Sequence, residues 1–272
     1  MLTTLRMIEK GLWWLESAGF LVLYLRLRRE RLSGVYRFFS MFLVFTLLRS
    51  VALMTAPVVA QMLGEPPKFF FASIGYYWVW VTTEPLLWVL YILVVLELYE
   101  LVFRNYQGIA SLSRWAILAG LGISVVIAAL TLPLDLNSPE PFPLLRYTFI
   151  VERGVASSLA LFLILISGFL ASFPVPLNRN VVVYSIGYAV YFLSVAATML
   201  VRNVSGEKYI GALNIADAGL VIVCLIVWIR FLNRAGETTT ATVRPRWEPA
   251  REQHLIEQLA AINSTLMRAP HK

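Results

Sequence analysis

Histidine and cysteine are scarce in this chain of 272 residues, and their scarcity excludes several kinds of site. The two histidines, His254 and His271, both lie in the C-terminal tail, and Cys224 is the only cysteine. Haem or chlorophyll held by histidine, copper, and most zinc sites inside a bilayer are therefore not expected. A lone cysteine also excludes an internal disulfide and a cysteine-ligated cluster.

Lysine is scarce as well: the chain has Lys10, Lys68, Lys208 and Lys272, none of them in the middle of a long apolar stretch. A retinal Schiff base needs a lysine amine inside a helical bundle, so a microbial rhodopsin is not expected. The sequence contains no phosphate-binding loop, no HExxH zinc motif and no serine-nucleophile elbow. It therefore predicts no cofactor and a protein that is not an enzyme.

Charged residues make up only 14% of the chain, while 59% of its residues are hydrophobic. Soluble domains carry about 25% charged residues and about 45–50% apolar ones. This composition excludes a soluble domain and a disordered chain. It also argues against nucleic-acid binding, despite the net charge of +7. The class it indicates is a multi-pass membrane protein.

Seven long apolar stretches are present. A helix needs about 20 mostly apolar residues to cross a hydrocarbon core of about 30 Å. The fold predicted is all-α: a bundle of seven transmembrane helices within residues 1–233. The stretches are 8–26, 36–62, 73–102, 114–133, 145–172, 181–201 and 210–232.

Basic residues predict the orientation of this bundle. Fifteen lysines and arginines follow the first, third, fifth or seventh stretch, against six on the opposite side. Cytoplasmic segments carry the excess of lysine and arginine. We therefore expect the N-terminus outside, the C-terminus in the cytoplasm, and a location in a bacterial cytoplasmic membrane.

Six ionisable residues are placed well inside the predicted spans, and such residues mark functional sites by default. In four stretches the charge falls at a comparable depth, in the predicted outer half of the bilayer. Because acids outnumber bases, either an acid is protonated, or arginines at the rim reach in, or the site takes a cation. The six are Glu16, Arg49, Glu84, Glu152, Arg153 and Asp217.

Three interpretations of this cluster stay open: an Arg49 ion pair with Glu84 or Asp217 that only holds helices together, a ligand pocket open to the outside, and a proton or cation path. Helical spacing supports a polar lining, because Tyr188 and Tyr191 share one face, as do Asn214 and Asp217. The candidate site residues are Arg49, Glu84, Glu152, Arg153, Asn214, Asp217, Tyr188 and Tyr191. A second acidic pair, Glu97 and Glu100, is interpreted as a solvated helix end or as a partner of the arginines in the first loop.

The tail divides into a polar linker at 234–246 and an amphipathic helix at 247–268. Its leucines and isoleucine recur at steps of 4, 3 and 4, which is typical of a heptad seam. One interpretation is a cytoplasmic pairing helix for a partner or a second copy. The other is a helix that lies on the membrane or on the protein's own loops. The seam residues are Leu255, Leu259, Ile262 and Leu266.

The third stretch contains the run 76–80 (YYWVW), then Glu84, then the run 97–99 (ELY). In these residues the chain resembles uncharacterised bacterial seven-helix, multi-pass membrane proteins. The resemblance implies a membrane bundle and carries no activity.

The function expected from these features is that of a sensor-like or receptor-like protein with an outward-facing polar cavity and a tail that reports inside the cell. One alternative is an accessory or structural subunit of a larger membrane complex, and another is a small-solute or proton-coupled transporter. The expected partners are membrane lipids and, through the C-terminal helix, a second copy or a larger complex. Nucleic acid is not expected.

Overall fold

The computed structural model describes residues 2–62, 74–103, 122, 143–172, 177–205, 210–241 and 249–268. Apart from one very short β ladder, these residues form helices, as the composition predicts. The α-helices are α1 (Leu2–Arg29), α2 (Arg37–Met62), α3 (Ile74–Val102), α4 (Pro143–Ser172), α5 (Arg179–Ser205), α6 (Ile210–Phe231) and α7 (Pro249–Arg268).

Within the described ranges, five helices are long and apolar enough to cross a membrane. This finding fits an integral, multi-pass membrane protein. The apolar segments lie in α2 to α6 and cover Arg37–Ala56, Gly75–Val102, Ile150–Gly168, Arg179–Thr198 and Gly211–Phe231.

Two of the seven predicted stretches are not among these five. The stretch at 8–26 is helical and belongs to α1, but Lys10 and Glu16 interrupt its apolar run. The stretch at 114–133 lies outside the described residues. The prediction of an all-α fold is therefore confirmed, while the count of seven spans and their orientation stay predictions.

The helices pack as a bundle in which the first helix contacts the last apolar one. α2 packs along α3, α4 along α5, and α5 along α6, while α1 contacts both α2 and α6. Gly19 on α1 allows this approach, because a Cβ at that position would lie 3.0 Å from the Leu225 side chain on α6. Small residues permit such close helix contacts in a membrane, where apolar burial alone provides little driving force.

A tight turn joins α1 to α2. Arg31 adopts a φ of 56° there, in the left-handed region that an arginine rarely occupies. The Leu32 amide donates back to the Leu27 carbonyl at 2.9 Å, which closes the end of α1. The turn places the last residues of α1 beside the first residues of α2.

The segment after α6 folds back onto the bundle. A 3₁₀ helix forms at Arg234–Glu237, and the strand β2 (Thr240–Ala241) pairs antiparallel with β1 (Leu177–Asn178), which directly precedes α5. Both elements lie within the range predicted as a polar linker. The tail is therefore joined to the bundle by backbone hydrogen bonds over residues 239–241, including one at 2.9 Å from the Arg179 amide to the Thr239 carbonyl.

Candidate functional site: a charge cluster and a tyrosine ladder

An ion pair between α2 and α3 lies at the centre of the predicted site. The Arg49 guanidinium contacts the Glu84 carboxylate, and its Nε donates to Thr83 Oγ1 at 3.0 Å. Glu84 is 1% exposed, so the pair is withdrawn from solvent. Of the two partners predicted for Arg49, the structure places Glu84 against it.

Two further acids belong to the same region. Glu16 on α1 lies close enough to Arg49 and to Asp217 on α6 for both charges to act on it. One carboxylate oxygen of Asp217, Oδ1, is buried and has no hydrogen-bond partner among the described residues. We call Glu16, Arg49, Glu84 and Asp217 the charge cluster. Glu84 contacts the Arg49 guanidinium, and Glu16 interacts electrostatically with both Arg49 and Asp217, so four helices contribute charge to one region.

The other predicted charges lie beside this cluster. Glu152 on α4 is half-buried and acts electrostatically on Tyr191, which also feels Asp217 and Glu16. Arg153 is half-buried too, and adjacent helix positions point in different directions. Asn214 is exposed, and its Nδ2 donates to Glu9 Oε1 on α1 at 2.9 Å. Asn214 therefore joins α1 to α6 outside the cluster.

A column of tyrosines runs from this cluster toward the start of α2. The hydroxyls of Tyr91 and Tyr191 are hydrogen-bonded at 2.6 Å. The ring centroids of Tyr191 and Tyr188 are 6.2 Å apart, those of Tyr188 and Tyr184 are 5.0 Å apart, and those of Tyr184 and Tyr36 are 5.1 Å apart. We call these five residues the tyrosine ladder. It crosses the bundle through α3, α5 and the start of α2.

The tyrosine ladder is embedded in a buried aromatic core. Tyr184 and Tyr188 are fully buried, and both contact the ring of Phe39 on α2. Trp228 on α6 packs on Tyr188 with ring centroids 4.9 Å apart. Gly187 makes this contact feasible, because a Cβ there would overlap the Trp228 indole. The helix face with Tyr188 and Tyr191, which was predicted to line a polar cavity, thus packs against aromatic rings of α2, α3 and α6.

Glu97 lies where the ladder approaches the start of α2. Its Oε1 accepts from the Phe38 amide at 2.9 Å, and its Oε2 accepts from the Phe39 amide at 3.1 Å and from the Tyr184 hydroxyl at 3.4 Å. The first amides of a helix lack intrahelical partners, so this carboxylate on α3 caps α2 from another helix. The interpretation of Glu97 as a solvated helix end is wrong, since it is 6% exposed; Glu100 is exposed.

A second polar cluster fixes the chain that leaves α6. Glu237 Oε1 accepts from the Tyr36 hydroxyl at 2.6 Å and from Asn180 Nδ2 at 2.7 Å. Asn180 Nδ2 also donates to the Asn233 carbonyl at 2.8 Å, and a Cβ on Gly236 would overlap the Asn180 amide. We call Tyr36, Asn180, Asn233, Gly236 and Glu237 the tail anchor. Tyr36 belongs to the tyrosine ladder and to the tail anchor, so the tyrosine ladder ends at the tail anchor.

Sequence reasoning missed the tail anchor and the cap. Glu237 stands in a run of small polar residues that is typical of a linker, and no local pattern shows that Asn180 and Tyr36 converge on it. One signal was available for Glu97. It lies thirteen residues after Glu84 in an apolar helix, and a carboxylate at such a position needs a partner inside the protein.

The tail helix uses part of its predicted seam within this chain. Leu259 is fully buried and belongs to the hydrophobic core of the bundle. Leu255 is half-buried, Ile262 is 45% exposed, and the burial of Leu266 lies outside what the structure describes. One seam residue therefore packs on the chain itself, while Ile262 stays accessible.

Among the described residues, no group of three histidine, cysteine, aspartate or glutamate side chains is placed to hold a metal ion. Comparison of the chain with protein-family models, with curated proteins and with solved structures gives no match. The resemblance noted from the third stretch therefore stays a prediction.

Proposed function

We propose that this chain is a non-catalytic, receptor-like protein of a bacterial cytoplasmic membrane, with seven spans and a cytoplasmic C-terminus. In this proposal the charge cluster receives a signal and the tail anchor transmits it to the C-terminal helix. The observation that carries the proposal is the tyrosine ladder, which connects the two polar clusters through ring contacts and hydroxyl groups.

The distance between the charge cluster and the start of α2 is short enough for the tyrosine ladder to couple the two polar clusters. Arg49 lies thirteen residues beyond Tyr36, and Glu84 lies thirteen residues before Glu97. At about 1.5 Å per residue, each interval is about 20 Å. Packed side chains with two discrete arrangements can carry coupling energy over such a distance.

The charge balance of the cluster indicates the kind of signal. The cluster holds three carboxylates and one guanidinium, an excess of acid that attracts a cation. Ser194 interacts with the Asp217 carboxylate, but Asp217 Oδ1 is buried without a hydrogen-bond partner in the described part of the chain. A buried carboxylate oxygen without a partner is costly. A small organic cation or a proton is therefore the signal we propose.

Hydrogen exchange of the full chain in lipid nanodiscs tests the coupling. We expect Asp217→Asn to change the exchange of residues 234–241 about fivefold or more, since allosteric coupling is typically about 1–3 kcal/mol. Asn214→Ala is the matched control, because Asn214 lies one turn away on α6 and is exposed.

Unchanged exchange of the tail in a folded Asp217→Asn variant would overturn the proposal. If that variant does not fold, Tyr191→Phe provides the second test, because it removes only the hydroxyl bond to Tyr91. Methylammonium chloride is the ligand probe, with sodium chloride at equal ionic strength as its control. We expect the amine to raise the thermal midpoint of the wild-type protein and not that of Asp217→Asn.

A second candidate function is that of an accessory subunit. The observation that favours it is the tail helix, which buries Leu259 and leaves Ile256 and Ile262 exposed. Native mass analysis after extraction in mild detergent separates the two candidates. A stoichiometric foreign chain that is lost in an Ile256→Ser/Ile262→Ser variant would favour the subunit.

A further inference from the structure

The ends of α1 and α6 meet in a seam that is rich in arginine. Arg26 Nε on α1 donates to the Leu232 carbonyl, which directly follows α6, at 3.3 Å. The Arg234 amide donates to Glu30 Oε2 at 3.2 Å. These two bonds hold the last turn of α1 against the chain that leaves α6.

Arginine side chains around this seam face outward. Arg29, Arg230 and Arg234 are exposed, and Arg26 is half-buried. Glu30 is the carboxylate that the seam brings beside them, and one of its oxygens already accepts from the Arg234 amide. Glu237, on the same 3₁₀ helix as Arg234, is engaged by Tyr36 and Asn180. Four guanidinium groups against these two carboxylates leave the seam positive.

Exposed aliphatic side chains continue each helix away from the arginines. On α1, Val22 and Leu25 lie seven and four residues before Arg29, so the three share one face. On α6, Val223 and Ile226 lie seven and four residues before Arg230 in the same way. Val22 is 50% exposed and Ile226 is 59% exposed. Each helix therefore presents an exposed apolar stripe that ends in an arginine.

We infer that this seam binds an acidic phospholipid, with the phosphate headgroup on Arg29 and Arg230 and the acyl chains along the two apolar stripes. The arginines match the charge of the headgroup, and guanidinium groups bind phosphate oxygens through paired hydrogen bonds. The acyl chains would lie against apolar side chains of the two stripes, namely Val22, Leu25, Val223 and Ile226. A site of this kind stands independently of the receptor-like function, since it needs neither the charge cluster nor the tyrosine ladder.

Native mass spectrometry of the full chain tests the site, with phosphatidylglycerol or phosphatidylcholine added to the detergent-purified protein. We expect the wild-type chain to retain phosphatidylglycerol and not phosphatidylcholine. The Arg29→Gln/Arg230→Gln variant is expected to bind phosphatidylglycerol about tenfold or more weakly, because each arginine near an anionic lipid surface contributes about 1 kcal/mol.

The matched control is Arg31→Gln/Arg37→Gln, which removes two exposed arginines from the same end of the bundle but outside the seam. We expect it to keep the lipid. Equal loss in both double variants would show general surface attraction and overturn the site, as would equal retention in both.

Free glycerol phosphate separates a headgroup site from a phospholipid site. We expect a large excess of it to leave the bound lipid in place, because it lacks acyl chains; full displacement would overturn the role of the apolar stripes. If the double variant does not fold, the single Arg29→Gln variant is compared with Arg37→Gln. Equal lipid binding by these two would also overturn the site.

Discussion

Glu97 shows how one side chain on α3 organises the start of another helix. Its two oxygens accept from the Phe38 and Phe39 amides, and the same carboxylate accepts from Tyr184. Without it, the first amides of α2 would be buried without acceptors. A buried amide without an acceptor costs more free energy than a hydrogen bond contributes to stability. Replacing Glu97 should therefore destabilise the protein.

We therefore expect Glu97→Gln to destabilise the protein by about 1–3 kcal/mol, because the amide presents one acceptor oxygen where the carboxylate presents two. The measurement is the thermal midpoint in detergent. Glu100→Gln, three residues further along α3 and exposed, is the control and should leave the midpoint unchanged. Equal midpoints for the two variants would contradict the capping role.

Gly187 gives a second residue-scale prediction. A Cβ there would overlap the Trp228 indole, which is fully buried against Tyr188. We expect Gly187→Ala to destabilise the bundle by about 1–3 kcal/mol through overpacking. Gly219→Ala is the control, because a Cβ at Gly219 meets no atom within 4 Å. A Gly187→Ala variant as stable as Gly219→Ala would show that Trp228 moves freely.

At the scale of single residues, charge in an apolar stretch was the informative signal. It identified Arg49 and Glu84, which the structure joins, and it drew attention to Asp217 and Glu16, which lie nearby. The partners of Glu97 and Glu237 were not predictable. Backbone amides have no sequence signature, and the Tyr36–Glu237 bond joins residues 201 positions apart.

The helices themselves follow from apolar length, and their association depends on specific polar contacts. α2 and α3 pack along each other, and the Arg49–Glu84 pair lies between them. In a buried ion pair, loss of one partner leaves an uncompensated charge. The pair therefore joins α2 and α3 at one fixed level along their lengths.

A double-mutant cycle on this pair is the element-scale prediction. Arg49→Met or Glu84→Met alone should destabilise the protein by about 3–5 kcal/mol, while the double variant should recover most of that loss. Thermal unfolding in one detergent measures all four proteins. Additive losses would mean that the two side chains act independently, contrary to the ion pair.

Element prediction succeeded where the hydrophobic pattern is long and failed where the structure depends on distant pairing. Five of the predicted stretches correspond to helices able to span a membrane. The antiparallel pairing of β1 with β2 involves two residues in each strand, and such short strands leave no periodic pattern in the sequence. The 3₁₀ helix depends on Asn233, whose side chain accepts from the Gly236 amide at 2.8 Å.

For the whole molecule, the distribution of arginines predicts which end of the bundle faces the cytoplasm. Substituted cysteines test this in a Cys224→Ala background, since Cys224 is itself buried. We expect a membrane-impermeant maleimide to label Gln61→Cys from outside intact cells and to reach Ser33→Cys only after the membrane is opened. The reverse pattern would invert the predicted topology.

The contact between Gly19 on α1 and Leu225 on α6 also bears on biosynthesis. About 200 residues separate the two positions, and ribosomes add about 5–20 residues per second. For about 10–40 seconds after its own synthesis, the first helix has no α6 to pack against. During that interval its Gly19 face is open to chaperones, insertases and proteases, and a nascent chain that stalls before residue 225 keeps it open. The first helix of this protein is therefore the earliest to be made and among the last to be covered, because its Gly19 face packs only once α6 is present.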